Sequence, residues 1–205
     1  MNAKKASKPP YHHGDLRGAL LLAAEQELAE KGVEGFTLRG CAKRAGVSHA
    51  APAHHFRDAG ALLTALAAIG FQRLIASMKA RQEKAPADPL GRLSAAGLGY
   101  IDFAEANPAL FKLMFGSDRP SADDETLMLK GSTAFMALVG DIAAVRGDDP
   151  LSSPAGLIDI AAAWSLVHGF SHLAIAGRLP FLTPLLGKER DDVLARIIAR
   201  VAPKV

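Results

Sequence analysis

The sequence predicts an all-α protein, with a small N-terminal three-helix module containing a helix-turn-helix joined to a larger C-terminal helical domain. Three observations predict the class. Runs of alternating β-branched residues are absent. Ala and Leu dominate the apolar positions, and apolar residues recur at the i, i+3, i+4 spacing of a helix between strong caps and breakers.

The first helix starts at Asp15, a residue whose carboxylate can accept from the free N–H groups of a first turn. Leu16, Ala19, Leu20, Ala23, Ala24 and Leu28 mark its apolar face, and Gly32 closes it. Thr37 caps a second helix over 38–45, which Gly46 ends. Ser48 is placed to cap a third, short helix over about 49–56, and Asp58 a long fourth helix reaching about Lys84. The segment Ala85-Pro86-Ala87-Asp88-Pro89 breaks the pattern. Further helices are predicted over about 90–106, 108–115, 122–146, 154–177 and 188–201, with Pro- and Gly-rich breakers between them. Residues 1–10 read as a disordered basic tail, 11–57 as the helix-turn-helix domain and 58–205 as the second domain.

Composition narrows the class. Hydrophobic residues at 49% and charged residues at 22% exclude a disordered or collagen-like chain. Cys41 is the lone cysteine, so no intrachain disulfide can form and a reducing cytoplasm fits. No apolar run follows the first lysines, so no signal peptide is read. No stretch of about 18 residues lacks a polar interruption, so no transmembrane helix is predicted. Residues 160–176 come closest, but Trp164, Ser165, His168, Ser171 and His172 make them read as a buried helix. Charge is uneven: residues 1–57 hold nine Lys/Arg against five Asp/Glu, whereas the remainder holds fifteen against sixteen. A basic leading module suits a polyanion, because phosphate attraction dominates sequence-independent affinity.

Residues 38–56 carry the functional reading. A short helix is followed by a tight turn at Ala45-Gly46-Val47-Ser48, where Gly46 supplies a positive φ and Val47 can bury between two helices. Such a helix-turn-helix lays its second helix in the major groove. A plain αα-hairpin packed for stability would share the turn.

The surrounding residues resemble the TetR/AcrR family of repressors. Tyr11-His-His-Gly-Asp-Leu-Arg17, Ala29-Glu-Lys-Gly-Val-Glu-Gly-Phe-Thr-Leu-Arg39 and Ala42-Lys-Arg-Ala-Gly-Val-Ser48 match in register, as do His55-Phe56, Asp58 and Ala61-Leu-Leu63. The resemblance implies a DNA-binding transcriptional regulator, a repressor released from double-stranded operator DNA by a small-molecule effector. It implies that Thr37 bonds a phosphate and that His49, Ala50, Ala51 and His54 face bases, with Ser48 heading that segment. It places His55 at the backbone and Arg39, Lys43 and Arg44 on the second helix, where at least one is expected to reach phosphate and the others can be solvated charges. Ala50 and Ala51 can make only apolar contact, as with a thymine methyl. Two positions depart from the family: Ala53 stands where an aromatic is common, and Ala59 where a Lys is common. Each lost cationic contact lowers the salt slope by roughly one unit. The alternative is a relative with weak or lost DNA binding that acts as a protein-interaction adaptor.

The C-terminal half, through Tyr100-Ile-Asp-Phe-Ala-Glu-Ala-Asn-Pro-Ala-Leu-Phe-Lys-Leu-Met-Phe115 and Ala163-Trp-Ser-Leu-Val-His-Gly169, resembles a subclass marked by Trp-x-x-x-His-Gly. Phe103, Phe111, Met114, Phe115, Phe135, Met136 and Trp164 are bulky and fall on helices that must pack together. Singly each reads as core. As a group, Phe103, Phe111, Met114, Phe115, Phe135, Trp164 and His168 are candidates to line a pocket for a small, largely apolar effector. The resemblance also implies a homodimer through the last two helices, where Gly156, Ala161, Ala162, Gly169 and Ala176 allow close approach. No cofactor, metal or membrane partner is expected, and no enzyme. His12, His13 and Asp15, and likewise His49, His54 and His55, lack the ligand spacing that zinc takes. Cys41 reads as a small buried residue.

Overall fold

The computed structural model describes residues 15–203. The tail 1–10, the Tyr11–Gly14 part of the family motif, and His12 and His13 lie outside the described residues. Among the described residues eight α-helices are present: α1 (Leu16–Lys31), α2 (Leu38–Ala45), α3 (Ala59–Gln82), α4 (Pro89–Ala106), α5 (Pro108–Gly116), α6 (Glu125–Arg146), α7 (Pro154–Ile175) and α8 (Gly187–Ile198). No strand occurs among the described residues.

The local signals act as the sequence predicts. Asp15, Thr37 and Asp58 each accept a backbone N–H from the first turn of the helix they precede, and Asp88, Asp124 and Ser153, which the sequence reading did not name as caps, do the same. Gly46 ends α2 at φ 70°, a left-handed conformation that side chains disfavour. The prediction for 122–146 is corrected at its start: Asp124 is the cap, so residues 122–124 form the turn before α6.

One element departs in kind. Residues 49–56 form no α-helix. Ala51–His54 is a single 3₁₀ turn, and Ser48 caps nothing. Pro52 is the reason. A helix begun at Ser48 would need the N–H of residue 52 to reach the Ser48 carbonyl, and proline has none. Its ring also disfavours helical geometry at Ala51. The chain instead closes short bonds, Ala51 N to Ser48 O at 3.1 Å and His55 N to Pro52 O at 2.9 Å.

Packing joins the N-terminal module to the rest. One apolar cluster runs from Leu20, Leu28, Phe36, Cys41 and Phe56 through Leu62, Leu63 and Leu66 to Ile101, Phe111 and Leu194. A second gathers Leu93, Val139, Ile142, Ile160 and Ala163. Helices α3 and α4 approach closely at Gly99, where a Cβ would sit 2.6 Å from the Ser77 carbonyl oxygen. Ion pairs tie the elements together. Arg73 holds Glu25 with two bonds, joining α3 to α1. Arg81 holds Asp102 at 2.6 Å and Asp191 at 2.5 Å, joining α3 to α4 and α8.

Among the described residues three helices, α3, α6 and α7, are long and apolar enough by length and composition to cross a membrane, where the sequence pointed only to residues 160–176, most of which lie in α7. In α3 the apolar residues are largely core. Within one chain α6 and α7 bury much less of theirs.

Cys41 is fully buried, and burial pushes its thiol up to about 11, with Glu27 adding to the shift. Only the thiolate attacks electrophiles. Native Cys41 should therefore react with a maleimide or disulfide reagent at least ~100-fold more slowly than the unfolded chain at pH 8. Equal rates, measured by mass spectrometry with and without denaturant, would contradict this placement.

Candidate functional site

The N-terminal module exposes one polar face. Phe36, Pro52 and Phe56 point inward, and Arg17 lies over the Phe56 ring at 5.3 Å. Anchoring those residues turns Thr37, Arg39, Lys43, Ser48, His49, Ala50, Ala53, His54, His55 and Arg57 outward, with Ala51 half-buried. Thr37 Oγ1 accepts the Gly40 N–H at 3.0 Å, so its own hydroxyl proton is left to donate.

Arg44 is placed differently from the other basic residues. Its Nε donates to Glu27 at 2.5 Å and its Nη2 to Glu30, so the guanidinium fastens α2 onto α1. Those bonds raise the Arg44 pKa, first through Glu27 and then through Glu30. Glu27 is nearly buried, and a Cβ at Gly40 would run into its carboxylate. Arg44 in this structure is thus an internal strut, whereas Arg39 and Lys43 stand free of ion pairs in the described contacts.

A cavity of about 350 Å³ lies between the two apolar clusters. Helix α3 contributes Phe71, Leu74 and Met78, and α4 contributes Leu93, Ala96, Gly97 and Tyr100. Helix α6 contributes Gly131, Ala134, Phe135, Leu138 and Asp141, and α7 contributes Ala163, Trp164 and Val167. Phe115 and Ile198 complete the wall. Each group falls on one helical face, as the spacing 131, 134, 135, 138, 141 shows.

Of the seven residues proposed from sequence, Phe115, Phe135 and Trp164 line this cavity. Phe103, Phe111, Met114 and His168 do not. Phe103 and Phe111 are core, at 3% and 0% exposure. Met114 packs against Gly70. His168 stands behind the wall, its Nδ1 2.8 Å from the Tyr100 hydroxyl and its Nε2 3.2 Å from Nε2 of His172. Burial, and then His172, lower the His168 pKa. Sequence reasoning missed Phe71, Met78 and Asp141. Asp141 carried a signal: it is a lone charge on an otherwise apolar face of α6.

Among the described residues no three His, Cys, Asp or Glu side chains gather to hold a metal ion.

Comparison with known proteins places this geometry. Residues 20–66 match the family described as bacterial regulatory proteins, tetR family, and residues 93–201 match the tetracyclin repressor-like C-terminal domain. A structure of a protein of unknown function from Rhodococcus sp. RHA1 is 33% identical, covers 95% of this chain and 97% of its own, and superposes with a TM-score of 0.76. The TetR family transcriptional regulator PfmR from Thermus thermophilus is 18% identical over 89% of this chain and 96% of its own, at a TM-score of 0.63. The regulator FadR from Bacillus subtilis, solved with stearoyl-CoA, is 14% identical over 91% of this chain and 97% of its own, also at 0.63. These last two likenesses concern the fold. Among curated proteins none matches the chain.

Proposed function

Because the chain belongs to the TetR family of bacterial transcriptional regulators, we propose that it is a cytoplasmic, homodimeric repressor that binds operator DNA and is released by a small apolar effector. The observation that carries this reading is the path of α3. Its first residues follow the DNA-facing turn directly, its middle and end wall the cavity, and it is one continuous helix. A ligand that favours one position of α3 changes the spacing of two reading heads in a dimer. Release requires different ligand affinities for the two states, since equal affinity shifts nothing.

Contacts that tie the segment after α5 to the N-terminal module and to α3 support transmission. Arg119, after α5, donates to the Val33 carbonyl at 3.0 Å, and the Ser121 N–H donates to Thr64 Oγ1 at 2.9 Å.

Dimerisation rests on α7. Leu157, Ile158 and Leu173 are 52%, 66% and 48% exposed, and Ala161, Ser165 and Gly169 share that side of the helix. The exposed side of α8 carries Lys188, Glu189, Asp192 and Arg196 instead. We therefore assign the apolar centre of the interface to α7 and its rim to α8. Gly156 has a different task from the one expected, since it packs against the Pro150 backbone within the same chain.

The DNA face can be tested by fluorescence anisotropy with labelled duplexes. Thr37→Asp keeps a cap acceptor for Gly40 but sets a carboxylate against phosphate. It should weaken binding to every sequence by about tenfold or more while leaving the melting temperature near wild type. His49→Ala should instead change which site is preferred, by roughly 1–3 kcal/mol at the affected base pair. If neither variant alters binding, this face is not the DNA-reading surface, and the adaptor reading gains ground.

A further inference from the structure

We infer that the effector is a lipophilic amine or similar organic cation, whose ammonium group pairs with Asp141 while its hydrocarbon body fills the aromatic cavity. This rests on the effector-cavity reading above and names the ligand chemistry. The wall is almost wholly apolar, and its aromatic rings come from several helices: Phe71, Tyr100, Phe115, and Phe135 with Trp164 at 6.1 Å. Asp141 is the one ionisable carboxyl in that wall. Among the described residues no Lys or Arg forms an ion pair with it. Both its oxygens accept from a single nitrogen, Gln82 Nε2, at 2.9 Å each.

Arg92, which is exposed, acts on it through its charge without an ion-pair contact. Removal from water pushes the Asp141 carboxyl above the usual carboxylate range, and Gln82 and Arg92 offset this in part. A half-buried carboxylate held only by an amide retains unused lone pairs and an unbalanced charge. A ligand cation satisfies both, and the electron-rich faces of the surrounding rings favour a cation further. A fatty carboxylate would set like charge against like charge in a low-dielectric wall.

The same contact supplies the coupling. Gln82 is the last residue of α3. A ligand ammonium that takes an oxygen from Gln82 acts on the helix that leads to the DNA-facing module.

The test uses three ten-carbon probes of equal body: decylamine, decanol and decanoate. Binding to the full chain at pH 7.5 is followed by the fluorescence of Trp164, the lone tryptophan, and by calorimetry. Wild type should bind decylamine about tenfold or more tightly than decanol, and decanoate least. Asp141→Asn should bring decylamine to the level of decanol while leaving decanol unchanged. Equal binding of amine and alcohol to wild type, a preference for decanoate, or an amine preference that survives in Asp141→Asn would overturn the inference and leave the cavity reading intact. Failure of all three probes to bind would overturn the cavity reading and this inference with it. Should the variant not fold, the ranking of the probes on wild type decides.

Discussion

Ile158→Glu is expected to leave a folded monomer that binds operator DNA roughly 10²- to 10⁴-fold more weakly than the wild type. Ile158 lies on α7 and is 66% exposed in one chain, so a Glu there meets water and clashes with nothing in the protomer. In a dimer centred on α7 the same carboxylate is buried against apolar neighbours, at a cost of several kcal/mol if it finds no partner. The DNA effect follows because two linked reading heads bind far more tightly than one. Light scattering gives the mass, circular dichroism the fold, and anisotropy the affinity. A dimeric variant with unchanged affinity would move the interface away from α7. The proposed interface also accounts for the uncovered apolar residues of α7: Leu157, Ile158 and Leu173, exposed in one chain, would be covered by a second.

Phe111→Ala should lower stability by about 3–5 kcal/mol in chemical denaturation, the usual effect of deleting a fully buried aromatic ring. Phe111 has no exposed surface, and its ring centroid lies 5.0 Å from Phe115, 5.2 Å from His172, 5.3 Å from His168 and 5.9 Å from Tyr100. It holds up the wall from behind. Any loss of effector response in this variant should therefore accompany a general loss of stability. Trp164→Phe should behave oppositely, because Trp164 lines the cavity and is 41% exposed. It should change ligand affinity with little change in melting. A Phe111→Ala protein within about 1 kcal/mol of wild type, against the larger loss expected, would show that the ring is not packed as described.

These two phenylalanine roles show where sequence reasoning stops. Phe111 and Phe115 are i, i+4 on α5, chemically identical, and contact one another. Yet one is core and the other lines the cavity. The difference is set by the rotation of α5 against α4 and α7, which no local signal records. Caps are different. Asp15, Thr37 and Asp58 act on N–H groups three residues away, so their meaning is complete within a short segment. Pro52 was equally local, and its missing N–H excluded the helix read over 49–56. Arg44 was legible only in part, because its carboxylate partners lie on α1, 17 and 14 residues away. Asp141 was not read as a site residue, because a charge on one face of α6 gains its meaning only when several helices pack around it to form a cavity.

The central claim, that this chain reads DNA as a two-fold dimer, is tested most directly by selection from random duplex DNA with the full-length protein at low salt. The account predicts an enriched near-palindrome whose half-sites lie about one helical turn apart, roughly 34–36 Å, or a multiple of it. Enrichment of no motif would contradict the account, because DNA bound without sequence preference requires neither the outward face around His49 and His54 nor a dimer to pair two such faces.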